Sequence, residues 1–187
     1  MPKYHVSEAR LLGGRIIVWN PEDSLFLYKN GFYGKPVGVS KPKTDEDLKT
    51  QLELSPLEAL YLMEKKLLKV KDLHGKSISR KRFLEIAKKS HRRFNDLYLV
   101  YKDLREKGYV VRPGLKFGGD FAVYLMGPGI DHAPFIVHVI PQDEKIDPIE
   151  IVRAGRLTHT VRKKFVIATI DPQSKEIRYY MFMWWKP

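Results

Sequence analysis

The chain contains no cysteine, which excludes disulfides, thiol nucleophiles and cysteine-ligated zinc in one step. Acids are also in short supply: 22 Asp and Glu face 34 Lys and Arg, a formal charge of +12 over 187 residues. Asn and Gln together number only six beside 30% charged residues, a composition associated with proteins that work hot. No apolar run approaches the roughly 20 residues that cross a bilayer, and Met1–Arg10 lacks the apolar centre of a signal peptide. A cytoplasmic protein without a membrane partner is expected. No glycine-rich loop has the spacing of a nucleotide site, since Gly118-Gly119 is only a pair and Gly127-Pro128-Gly129 is not followed by Lys-Ser/Thr. The six histidines form no close pair at a metal-ligand spacing, so the sequence calls for neither a cofactor nor a metal.

What is present in excess is positive charge, and it is spread evenly. Residues 1–91 hold 18 basic and 11 acidic side chains, and residues 92–187 hold 16 and 11. A field of this sign over both halves attracts polyanions, and neutralising several phosphates makes affinity fall steeply with salt. With a sequence pI near 9.7 and no low-complexity tail, a nucleic acid held on the folded surface is the expected partner.

The first half reads as α/β. Lys3–Leu11 and Arg15–Trp19 are strands around the Gly13-Gly14 turn. Asn20 as N-cap, Pro21 at the first helical position and Gly31 after the last apolar residue bracket a short helix. Gly34–Leu52 is polar and charged and reads as an exposed loop or insertion. Ser55-Pro56-Leu57-Glu58 is a capping box, with Leu57, Leu60, Tyr61 and Leu68 at helical spacing behind it. Another helix follows Ser79, expected to bury Phe83 and Ile86. The basic run His91-Arg92-Arg93 marks a domain boundary, giving units 1–91 and 92–187.

The second half has a different rhythm. A helix over Arg93–Lys107 carries Phe94, Leu97, Tyr101 and Leu104 on one face and stops at Gly108. Strands follow at Tyr109–Arg112, Asp120–Leu125, Phe135–Ile140, Phe165–Ile170 and Ile177–Met183. A helix entered by Asp147-Pro148-Ile149-Glu150 lies between the third and fourth. Together they make a compact α/β layer structure.

Three residues in this half have side chains suited to proton transfer and anion stabilisation. Tyr124 closes a strand, His132 lies in the Gly/Pro-rich loop after it, and Lys163 stands where the last helix runs into the next strand. Spacing alone gives them no special status: each is also an ordinary packing or surface residue. A rival set is the carboxylates Asp120, Asp131 and Glu150, the only plausible members of a cluster for a metal-dependent nuclease acting on DNA.

The wording of the sequence separates these options. Tyr98–Tyr124, then Asp131-His132-Ala133 with Phe135–Ile140, then Arg156–Ala168, closely resembles, in order, the core of the archaeal tRNA-splicing endonuclease family. Leu54–Leu62 resembles that family's N-terminal domain. The resemblance implies an α+β protein: a small N-terminal α/β domain followed by a nuclease-type domain with a mixed sheet flanked by helices. It implies cleavage of precursor tRNA at bulge-helix-bulge intron boundaries without metal, leaving 2′,3′-cyclic phosphate and 5′-hydroxyl ends.

The family's catalytic tyrosine, histidine and lysine fall on Tyr124, His132 and Lys163. In-line attack by a ribose 2′-oxygen needs a base at the nucleophile, an acid at the departing 5′-oxygen and positive charge at the phosphorane. Those roles suit the three in that order, although a free tyrosine titrates near 10 and needs a lowered pKa or a concerted transfer. Arg156 falls where the family has a bulge-gripping arginine. The family's second such arginine has no counterpart near the C-terminus, where Trp184 and Trp185 stand as stacking residues instead. The resemblance further implies a homotetramer, or a heterotetramer with a structural subunit, through Tyr179–Trp185 and an Asp171–Glu176 loop. A non-catalytic RNA-binding or structural subunit of the same fold is the alternative.

Overall fold

The structure is a computed structural model that describes residues 5–40, 42–91, 93–115, 118–141, 143–149, 151–152, 155–156 and 163–182. The chain divides into two compact units, Met1–Phe94 and Asn95–Pro187. Each is built on one mixed five-stranded sheet with helices, an α+β architecture.

The first unit runs β1 (Ser7–Leu12), β2 (Arg15–Val18), α1 (Pro21–Lys29), β3 (Lys35–Pro36), α2 (Asp45–Leu48), β4 (Leu52–Leu54), α3 (Pro56–Glu64), β5 (Leu68–Lys71) and α4 (Arg80–Ser90). Its sheet has the order β3-β4-β2-β1-β5, with β1 and β5 parallel and the other pairs antiparallel. Asn20 Oδ1 accepts the Glu22 and Asp23 amides at 2.8 and 3.3 Å and starts α1. Ser55 and Glu58 form the expected capping box on α3. Glu58 is only 3% exposed, and its carboxylate accepts the amides of both Ser55 and Gly34, at 2.8 and 3.0 Å. One side chain thereby caps α3 and fastens the turn ahead of β3.

Three expectations fail here. Gly34–Leu52 is not simply a loop: it holds β3, the one-turn α2 and the first residue of β4, and Leu48 and Leu52 are buried. Leu68 is not on the helix but opens β5, because α3 stops at Glu64. The stop is a Schellman turn in which the Leu67 amide bonds Leu62 O at 2.8 Å and the Lys66 amide bonds Met63 O at 3.1 Å. Lys66 takes the left-handed conformation this requires, φ 60°, where glycine is usual. On α4, Phe83 and Ala87 are the buried pair and Ile86 is half-buried.

The second unit contains most of α5 (Phe94–Glu106), then β6 (Val110–Pro113), β7 (Phe121–Tyr124), β8 (Phe135–Pro141), β9 (Lys164–Ile170) and β10 (Ile177–Phe182). Strand order is β10-β9-β8-β7-β6, antiparallel except for the parallel pair β8–β9. Between these two, residues 148–149, 151–152 and 155–156 are helical, and Asp147 accepts the Ile149 amide at 2.8 Å. Central strands are buried nearly throughout, as a sheet covered on both faces requires.

The register identifies the covers. Phe121 meets the Tyr101 ring of α5 on one face, at 6.1 Å between centroids, while Ile151 of the crossover packs against Ile140, Phe165 and Ile167 on the other. On α5's side Tyr179 donates to Asp103 at 2.5 Å. Burial, then the bond to Asp103 and its charge, push the Tyr179 phenol far above its ordinary value, so it stays protonated and ties β10 to α5.

Replacing Lys66 with glycine should remove the left-handed penalty without losing a packed side chain. The expected gain is roughly 0.5–1 kcal/mol, measured as an upward shift of the denaturant midpoint at unchanged slope.

Candidate active site

Pairing across three strands sets the site. Val123 of β7 is opposite Phe135 of β8, and Phe135 is opposite Lys164 of β9. Tyr124 therefore lies one step beyond this row, and Pro134 and Lys163 lie one step before it. All three chain segments reach the same end of the sheet. The Lys164 amide bonds Pro134 O at 2.8 Å, which extends the parallel pairing past the strand ends.

Each sequence-picked side chain has a definite setting. Tyr124 is half-buried and packs against the cluster Ala122, Ala133 and Ile136. That cluster lies on the face covered by the crossover, because Ile136 pairs with Phe165. His132 is exposed. Lys163 is half-buried, and its Nζ donates to Ala133 O at 2.7 Å. This bond anchors the side chain beside the residue that follows His132.

The loop from Tyr124 to His132 is held by one carboxylate. Asp131 accepts the amides of Leu125, Met126 and Gly127 at 3.0, 3.2 and 2.7 Å. The Ile130 and Asp131 amides in turn bond Gly127 O, each at 3.1 Å. Partial burial pushes the Asp131 carboxyl up. The backbone donors, Gly127 foremost, outweigh that and hold it below its ordinary value. In the sequence Asp131 stands in the Asp131-His132-Ala133 motif and among the rival carboxylates, with no sign of this role as a loop clamp. Its position beside His132 was visible, but its three backbone partners follow from the folded loop.

The rival carboxylate set does not assemble in the described residues. Asp120 accepts the Val139 amide at 2.8 Å, and its Oδ2 lies 2.8 Å from His138 Nδ1 in ion-pair range, without hydrogen-bond alignment. Asp131 is committed to the loop, and Glu150 lies outside the described residues. Among the described residues no three His, Asp or Glu side chains gather closely enough to hold a metal ion. None of their helices is long and apolar enough to cross a membrane. Arg156 is exposed on the crossover helix, while Trp184 and Trp185 lie outside the described residues.

Fold and sequence together define a nuclease class. The model of the tRNA intron endonuclease N-terminal domain matches residues 7–84, and that of the catalytic C-terminal domain of the same family matches residues 94–179. The chain belongs to the tRNA intron endonuclease family. It is 49% identical to the tRNA-splicing endonuclease of Hyperthermus butylicus and 46% identical to that of Saccharolobus solfataricus, in each case over 96% of this chain and 98% of the relative. The enzyme of the same name from Saccharolobus islandicus is 45% identical over the same shares.

The Asp131 clamp has a pH signature. A carboxyl depressed in the folded state contributes fully above its ordinary value of 3.8, and the contribution is lost as pH falls through the depressed folded value. Hydrogen exchange should find the Leu125, Met126 and Gly127 amides protected at neutral pH. Asp131→Ala should abolish that protection while the β8 amides remain slow to exchange.

Proposed function

We propose that this protein is a catalytic tRNA-splicing endonuclease that cuts precursor tRNA at bulge-helix-bulge intron boundaries without a metal. The observation that carries this is the strand register, which supports a common site for Tyr124, His132 and Lys163 at one end of the second sheet. In the reaction Tyr124 takes the proton from the ribose 2′-hydroxyl at the cut. The 2′-oxygen attacks the adjacent phosphorus, the bond to the 5′-oxygen breaks, and His132 protonates that leaving oxygen. Lys163 stabilises the charge on the non-bridging oxygens. The products are a 2′,3′-cyclic phosphate and a 5′-hydroxyl, with no water consumed. An exposed imidazole suits the acid, and an ammonium anchored on the Ala133 carbonyl beside it suits the stabilisation of charge.

Arg156 is the residue for gripping an unpaired bulge base, because guanidinium planes stack on bases and A-form RNA is read mainly by shape. Trp184 and Trp185 are the further candidates for stacking. Assembly into a homotetramer, or a heterotetramer with a structural subunit, is supported by β10. This edge strand exposes Tyr180, Met181 and Phe182, at 50, 46 and 41%, an apolar edge of the kind that pairing covers.

Cleavage of an end-labelled bulge-helix-bulge RNA by the purified protein in excess EDTA should yield cyclic phosphate ends. Loss of cutting on chelation would overturn the metal-free reading. RNA bound but never cut, even with candidate structural partners added, would identify a non-catalytic subunit. His132→Ala should lower the single-turnover rate by roughly 10²–10⁴-fold, the usual contribution of a general acid, with RNA affinity retained. Lys163→Gln should reduce turnover far more than affinity; an equal loss of both would assign Lys163 to binding alone.

A further inference from the structure

The first sheet has a buried face and an open one. Ala9, Ile16, Val18, Leu52, Leu54 and Val70 fill the first. On the other, register lines up Lys35, Glu53, Ile17, Arg10 and Lys71 across the five strands. A second row holds Lys69 beside Glu8, with Trp19 following one step past the Ala9–Val18 pair. Trp19 is 49% exposed. It lines a groove of about 590 Å³ with Glu8, Arg10, Asn20 and Asp23.

Pairing on this face decides its charge. Arg15, Lys35, Arg10, Lys69 and Lys71 stand against two acids, Glu8 and Glu53. Glu53 takes the Arg15 guanidinium in a two-bond fork at 2.8 and 2.8 Å, and Glu8 takes Lys71 at 2.5 Å. In the groove, Asp23 is bonded to His5 and to the Glu8 amide, at 2.6 and 3.0 Å. Arg10 and Lys69 form no ion pair among the described residues. The face thus presents free cations and one exposed indole above an apolar floor, Ile17, which is 5% exposed. Adjacent strands are about 4.8 Å apart, so Lys69 on β5, Arg10 on β1 and Trp19 just past the end of β2 span a distance comparable with one or two nucleotide steps.

We propose that this sheet face is a second RNA contact, taking an unpaired segment of the precursor RNA with one base stacked on Trp19 and the flanking phosphates on Arg10 and Lys69. The inference rests on the reading of the substrate as RNA. Among the described residues of this face a single exposed aromatic stands among unneutralised cations, which fits a base and its phosphates, whereas a protein partner would call for a broader apolar patch. An unpaired segment is required because a base inside a duplex offers no free face to stack.

The test uses the full chain and a labelled precursor RNA with single-stranded flanks, in EDTA, over a range of salt. Arg10→Glu with Lys69→Glu should weaken binding about tenfold or more and lower the slope of log affinity against log salt by roughly 1–2. Trp19→Ala should weaken binding about fivefold or more, and Trp19→Phe should restore most of it. The loss should fall on Kd and KM rather than kcat. In the unaltered protein, 4-thiouridine crosslinks should map to peptides of β1 and β2, a readout that does not depend on how a variant folds.

Unchanged affinity and salt slope, or crosslinks confined to the second unit, would overturn the proposal. So would variants that bind RNA normally but lose a protein complex. Failure of the enzymatic reading looks different: the unaltered protein would bind the RNA and not cut it, with the crosslinks and salt slopes as expected.

Discussion

The parallel pairing of β8 and β9 is the constraint on which the second unit depends. Two parallel neighbours cannot be joined by a tight turn, so the chain must leave the end of β8, cross over one face of the sheet and re-enter at the start of β9. That crossover brings Ile151 onto Ile140, Phe165 and Ile167. It also returns Lys163 to the end of the sheet where β7 finishes and β8 begins. An antiparallel β9 would deliver its first residue to the opposite end, some seven residues away along β8. Residues 39 positions apart in sequence, Tyr124 and Lys163, reach the same end of the sheet, with β8 between their strands, through one choice of strand direction.

Register alone brings strands to one end; it does not hold the connecting loop. Gly127 and Gly129 both have positive φ in the span that carries Tyr124 toward His132, and such a chain has many alternatives to lose on ordering. Asp131 removes them by gathering three amides on one carboxylate. The negative charge is stabilised by those donors and needs no cation, which leaves the positive charge of Lys163 uncancelled by Asp131. The bond from Lys163 Nζ to Ala133 O adds a second tie, fixing that side chain beside the residue that follows His132.

Most elements were legible because local and global signals agree, and the misses have local causes. Gly108 ends α5 with φ 89°, and the glycine announces it. Lys66 ends α3 with the same turn and φ 60°, but lysine gives no such notice, and Leu68 continues the helical spacing by coincidence. β4 has three residues, Leu-Glu-Leu, too few to show a period of two, and it is recognisable only from the strands that flank it. The candidate triad was named from a resemblance to a family, since a tyrosine, a histidine and a lysine at these separations have no significance by spacing. The structure adds the strand row and the anchor on Ala133.

Charge shows the same limit from another direction. Composition gives a basic protein with both halves alike, and from the sequence every lysine and arginine is equally available. Folding makes them unequal. Arg15, Lys29, Lys49, Lys71 and Arg178 each meet a carboxylate within 3.0 Å. These exposed pairs add little to stability, yet each subtracts a cation from the field that a polyanion meets. The face of a basic protein that binds nucleic acid is therefore set less by where its cations lie than by where its acids have already been used. On the first sheet both acids are used, and each is taken by a cation at the border of the same face. Among the described residues Arg10 and Lys69 meet no carboxylate, and they stand beside the exposed ring of Trp19.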